Sequence, residues 1–353
     1  MRRLLLLPLL LLLPSLAPAA DELRLFNWNN YLAPETLQRF EAQCRCRVIE
    51  DFYYDNDELL ARLSGRGKSY DVLVPTGFAL ETLIRQRALA PLDKRKLPNL
   101  QNIEPAYLKT VFDRSNRYSA PYAFTITLIG YNEQKMKEHG IPIDSWAAIF
   151  DPQILERIKG RVTVLDSPRE LLAAALMYLG YSANEADPAK WVQAKDVILK
   201  AKPYWKAFNA STYIEELGEG NLWLAHGYSN DMYQATVRAQ RGGKDFTIGF
   251  AIPKEGAVLA LDSLVIPKTA LRPDLAHKFI NSALEAQSSA ELTNATGSGS
   301  PNRFAMKSIR PELSRNRAVF PDKAAMAKLE MLKDLDDKQR RDLRRLWGEI
   351  RVR

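Results

Sequence analysis

A carboxylate lies inside an otherwise apolar, strand-like run, Leu259–Ile266 (LALDSLVI), and that is where chemistry is most clearly written into this chain. Burying the charge of Asp262 requires a partner: a basic side chain, water, or a cation from outside. A second signal is FNWNNY, residues 26–31, in which Trp28 and Tyr31 flank Asn29 and Asn30. A tryptophan after a strand is usually core, but this polar setting makes a core role less expected. Thr76 and Phe78 follow a third apolar run, YDVLVP. Other chemistries find little support. His139, His226 and His277 are widely separated, and Cys44 and Cys46 stand one residue apart, closer than a structural zinc site uses. The GSGS of residues 297–300 lacks the strand-to-helix setting of a nucleophile elbow, which argues against an exported hydrolase.

The elements around these residues alternate. Leu23–Asn27, Arg47–Tyr53 and Tyr70–Val74 read as strands, with helices expected over Pro34–Gln43 and Asp57–Ser64. Such a series implies a mostly parallel sheet with helices on both faces, and ligands then sit beyond the carboxyl ends of the strands. Trp28–Tyr31 and Thr76–Phe78 fall at such ends. The logic repeats in Arg161–Leu165 followed by the helix Leu171–Leu179, and in Asn221–Ala225 leading through His226-Gly227-Tyr228 to Asp231. Asp57, Asp151, Asp166, Asp187 and, on these grounds alone, Asp231 read as helix caps or turn formers. Two extended runs, Tyr122–Tyr131 and Leu259–Ile266, suit strands that cross between two bodies. The expected fold is α/β and two-lobed, each lobe a mostly parallel sheet flanked by helices. Lobe 1 is expected over 21–125 plus 259–305, lobe 2 over 126–258 plus 306–353, and the binding place in the cleft between them.

Residues 1–20 carry Arg2 and Arg3, a short leucine run and Ala17-Pro18-Ala19, the pattern of a cleavable secretory signal. The 353 residues, 46% of them hydrophobic, suffice for two cores. Net charge is +8, or +6 without the two leader arginines, and the basic runs are scattered. They read as solvated helix faces and not as a nucleic-acid footprint. In an oxidising compartment the neighbouring cysteines are open to either a tight disulfide or two thiols.

FNWNNY (26–31), YDVLVPT (70–76), APY (120–122), IGYN (129–132), LDSPRE (165–170), GYSNDMYQA (227–235), IPKEGA (252–257), LDSLVIP (261–267) and SPN (300–302) together resemble the periplasmic polyamine-binding proteins of bacterial ABC importers. The resemblance runs in order along the whole chain beyond the leader. It implies a type II-like periplasmic receptor, expected as a monomer, that needs no cofactor or metal, performs no catalysis, and delivers a small cationic amine to a membrane permease. Trp28 and Tyr31 match the aromatic lining from the first lobe, with Asn29 between them, and Thr76 and Phe78 match a hydroxyl residue and an aromatic beside it. Glu170, Asp231 and Asp262 match carboxylates that hold amino groups. Tyr228 occupies a position usually given to tryptophan, and Ser211 one that supplies a polar contact.

The set is physically coherent. An aliphatic diamine needs anionic acceptors at its ends and apolar walls between them. Four methylenes contribute about 3 kcal/mol of burial, and each ring over a desolvated cation roughly 0.5–2 kcal/mol. Three residues depart from the family: Ala260 and Ser298 stand where aromatic rings are usual, and Asn30 where an acid is. A wider, less anionic slot is therefore expected, open to a bulkier polyamine, a guanidino compound or an ω-amino acid.

Overall fold

In the computed structural model, residues 21–29, 31–53, 56–64 and 69–352 are described. The expected leader, residues 1–20, and Asn30 lie outside them. The first strands are β1 (Asp21–Trp28), β2 (Cys46–Tyr53) and β3 (Val72–Leu73), followed in turn by helices α1 (Pro34–Cys44), α2 (Asn56–Ser64) and α3 (Gly77–Arg85). β1 pairs in parallel with both β2 and β3. Leu23 and Leu25 of β1 pack with Phe40 and Phe279 on one face, while Phe26 packs with Tyr53, Leu59 and Leu80 on the other. Burial on both faces is what a parallel sheet requires. Pro34 opens α1, and Arg45 closes it in the left-handed region at φ 53°. This reversal brings Cys44 and Cys46 together as a disulfide, with their Cα atoms 5.2 Å apart.

The two extended runs are strands, β4 (Ser119–Asn132) and, later in the chain, β9 (Ala257–Val265). Between them come β5 (Val162–Val164), β6 (Ala207–Phe208), β7 (Leu224–Tyr228) and β8 (Ile248–Ala251), and β10 (Leu329–Glu330) follows β9. Among the described residues the strand order is β2-β1-β3-β9-β4-β7-β5-β6, with β8 on β4 and β10 on β9. The β2-β1-β3 and β7-β5-β6 groups are internally parallel, and β4 and β9 join them as an antiparallel pair. The second group has its own core, containing Trp146, Trp191, Tyr213 and Leu224. β7 differs from expectation: the strand includes His226, Gly227 and Tyr228, because β4 pairs with it as far as Thr127 opposite Tyr228.

The cap expectations divide. Asp151 accepts from Gln153 N at 2.9 Å and Asp187 from Ala189 N at 2.9 Å, as helix caps do. Asp166 stands in the bend before the helix Pro168–Tyr178, where Ser167 takes the cap position, and pairs with Arg351 at 2.8 Å. The side chain of Asp57 is not among those described.

Candidate functional site

A bulge in β4 sets the position of Asp262. The β4–β9 register shifts between Pro121 and Ala123, placing Asp262 opposite Ala123 and also in a bridge to Thr76, the residue preceding α3. The bulge leaves Tyr122 free of the ladder, and its hydroxyl donates to the carbonyl of Tyr31 at 3.1 Å. That carbonyl also accepts from the Asn27 amide at 3.1 Å, which pins the chain leaving β1. Tyr31 Oη then donates to one carboxylate oxygen of Asp262 at 2.9 Å, and Thr76 Oγ1 to the other at 2.6 Å. The Trp28 indole N–H donates to Val74 O at 3.0 Å, and it too favours the charged form of Asp262. Asp262 is only 5% exposed. Burial pushes its pKa up to about 7, with the three donors pulling the other way. The Tyr31 hydroxyl is driven well above its usual range by burial and by the adjacent carboxylate.

Glu170 enters from the second group of strands, in the first turn of the helix Pro168–Tyr178 that follows β5. It is buried and accepts from Thr127 Oγ1 at 2.7 Å, and desolvation raises its pKa. Asp231 lies in the first turn of the helix Ser229–Arg241, directly after β7. It does not cap that helix, as the residue pattern alone would suggest. Its carboxylate accepts from the Tyr213 hydroxyl instead, and burial pushes its pKa up to about 6. Among the described residues, no ion pair forms to Asp262, Glu170 or Asp231, although Arg169 is near enough to favour the charged form of Glu170. Asp262 and Glu170 are buried and Asp231 half-buried, each held by a hydroxyl, and carboxylates so placed suit positive charge.

β4 relates these groups. Ala123, Thr125 and Thr127 share one face of the strand, opposite Asp262, Ala260 and Tyr228 respectively. Four residues at roughly 3.3 Å each separate the first and last pairs by about 13 Å along the strand. Thr76, Phe78 and Glu170 line one cleft void with Ala260, Phe112 and Met331, so the two strand groups meet there. The void is small, about 10 Å³, roughly the volume a single water occupies. Beside Ala260 this void is bounded by Phe112, Met331 and Leu332. Ser298 is held by its neighbours. It is fully buried, shares a hydrogen bond of 2.7 Å with Thr296 and reaches the Tyr31 hydroxyl.

Not every expected residue joins this arrangement. Asn29 is exposed beyond β1. Ser211 is exposed in a turn organised by Asn209, whose side chain accepts from the backbone N–H groups of Ser211 and Thr212. Trp28 and Tyr228 are half-buried at the ends of β1 and β7, and Phe78 is half-buried in the first turn of α3. His226 is buried, accepts from Leu165 N at 3.3 Å and is pushed down to about 3 by desolvation, which makes it a neutral structural residue. Thr127 and Tyr213, which hold two of the carboxylates, were not anticipated. Thr127 was readable from the period-2 pattern of YAFTITLIGY, whereas Tyr213 had no signal in its TYIEEL context. A larger cavity of about 210 Å³ lies apart from this set, between the Glu170 helix, Trp191 and the C-terminal segment.

Residues 35–320 match the family model for bacterial extracellular solute-binding proteins. The chain is 51% identical over 353 residues, covering all of both chains, to the putrescine/cadaverine-binding protein of Pseudomonas aeruginosa (strain PAO1). It is 33% identical over 344 residues to the putrescine-binding periplasmic protein PotF of Escherichia coli (strain K12), covering 96% of this chain and 93% of that one. Its structure is similar to the spermidine/putrescine ABC transporter substrate-binding protein PotD from Streptococcus pneumoniae, with a TM-score of 0.82, 26% identity, and coverage of 94% and 99% of the two chains. A two-bodied α/β framework, a junction lined by carboxylates and aromatics, and these whole-length matches agree: the chain belongs to the bacterial extracellular solute-binding protein family.

Proposed function

We propose that this protein is a periplasmic receptor that captures a small aliphatic diamine between its two lobes and delivers it to an ABC importer. The observation that carries the reading is the set of three carboxylates, Asp262 and Glu170 buried and Asp231 half-buried, with hydroxyl partners and no ion pair among the described residues. Asp262, with Tyr31 and Thr76, takes one ammonium group, and Asp231 or Glu170 the other. Trp28, Phe78 and Tyr228 wall the methylenes, and their rings add cation–π attraction. The whole-length relatives named for putrescine, or for putrescine and cadaverine, support a straight-chain diamine over a guanidino compound or an ω-amino acid. The receptor acts as a monomer and consumes nothing.

Contacts from both lobes are complete only when the cleft is shut, so binding energy favours the closed form that a permease recognises. The test is thermal denaturation with putrescine, cadaverine, spermidine, agmatine and an ω-amino acid. Because a ligand that binds only the folded state raises its melting temperature, putrescine and cadaverine should give the largest increases. A panel in which no amine raises it would refute the reading.

A further inference from the structure

We infer that Asp334 is an interlobe latch, and that its bonds to Thr82 and Arg85 set part of the receptor's affinity without touching the ligand. The inference rests on closure of the two lobes around an amine, as proposed above.

Asp334 belongs to the segment joining β10 to the C-terminal helix Asp337–Val352, and that segment is fastened to the second lobe. Glu330 accepts from Ala183 N at 3.2 Å and from the Asn184 amide at 3.3 Å. Lys333 N donates to Asn184 Oδ1 at 2.8 Å, and Lys333 O accepts from Arg169 at 2.8 Å. Leu332 and Leu335 pack into the second-lobe core. The Asp334 side chain, only 3% exposed, reaches the other way. Its Oδ2 accepts from Thr82 Oγ1 at 2.7 Å and from Arg85 Nη2 at 2.7 Å, and its backbone N–H donates to Glu81 Oε2 at 2.9 Å. Glu81, Thr82 and Arg85 all lie on α3, whose Leu80 and Leu83 are rooted in the first-lobe core.

Both ends of this connection adjoin the amine site. α3 starts directly after Thr76, which holds Asp262, and Arg169 neighbours Glu170. The connection is also reversible. Arg340 of the C-terminal helix contacts Asp334 Oδ1 at 2.5 Å from the same lobe, so the carboxylate keeps a counter-ion when the lobes part. Arg85, with its side chain 55% exposed, is free to return to water. A buried charge permanently stripped of partners would be prohibitive, whereas this one exchanges two donors and retains Arg340 and the Leu335 N–H. The bonds made only on closure stabilise the closed state, and apparent affinity scales with the population of that state.

The test is calorimetric titration of putrescine into the wild type, Thr82→Val, Arg85→Gln and the double variant, with stopped-flow dissociation rates and small-angle scattering of the unliganded proteins. Circular dichroism checks that each folds, and the half-exposed Arg85→Gln stands as the milder variant. Loss of one hydrogen bond to a charged group should raise Kd about tenfold or more in the single variants, further in the double, chiefly through faster dissociation. Wild-type binding with Kd unchanged within about twofold in the double variant would overturn the latch and leave the amine reading intact. If wild type binds no amine, that reading fails by itself. Scattering then decides: a larger radius of gyration in the unliganded double variant supports the latch, and an unchanged one overturns it.

Discussion

Burial pushes the Asp262 carboxyl up to about 7, so near neutral pH it is divided between acid and carboxylate. A bound ammonium favours the carboxylate, so binding releases protons and weakens as pH falls. Affinity for putrescine should drop by up to about tenfold per unit below pH 7 and more steeply below about 6, where Asp231 protonates as well. Titrations between pH 8 and 5 check this, and a flat profile would contradict it. The same shift acts on stability with opposite sign to an ordinary salt-bridged carboxylate. Between the ordinary value of 3.8 and the folded value of about 7, the folded protein without ligand holds a proton that the unfolded chain has lost. Its stability therefore falls as pH rises through that window. Asp262→Asn should flatten the decline in melting temperature from pH 4 to 8 and abolish stabilisation by putrescine. If Asp262 were merely structural, the variant would instead be less stable without ligand at every pH. Tyr213→Phe removes the donor that favours ionised Asp231. It should weaken binding several-fold at pH 7 and less at pH 8, as parallel titrations would show.

At the scale of elements, β4 is the ruler and β7 the graduation at its far end. Gly227 on β7 has no room for a side chain: a Cβ there would lie 2.5 Å from both the Tyr213 ring and Met232 Cε. Gly227→Ala should displace Tyr213, destabilise the fold by roughly 1–3 kcal/mol and raise Kd by loosening Asp231. Denaturant unfolding and calorimetry measure the two effects separately. Much of this framework was legible in the residues. Pro34 marked the start of α1, the β-branched runs marked β4 and β9, and a lone acid in an apolar strand marked Asp262. What escaped has a common cause. The bulge at Pro121–Ala123 and the extension of β7 through Tyr228 depend on how distant strands register. Local pattern does not encode such register.

For the molecule as a whole, residues far apart in sequence share one junction: Tyr31 and Thr76 meet Asp262, Glu170 meets Thr127, and the segment after β10 returns to α3. The Asp334 connection left no sequence signal, since Asp334 stands in an acidic run, Asp334-Leu335-Asp336-Asp337, that reads as a solvated face. The central claim is electrostatic: carboxylates from both sides of the cleft grip the two ends of one dication. The most direct measurement is calorimetric titration at pH 8 of putrescine against butylamine, which has the same four carbons but one ammonium group. The account predicts one putrescine bound per chain and at least about 100-fold weaker binding of butylamine, the loss expected when one buried charge-assisted contact is left unmade. Equal affinity for the two amines would contradict it.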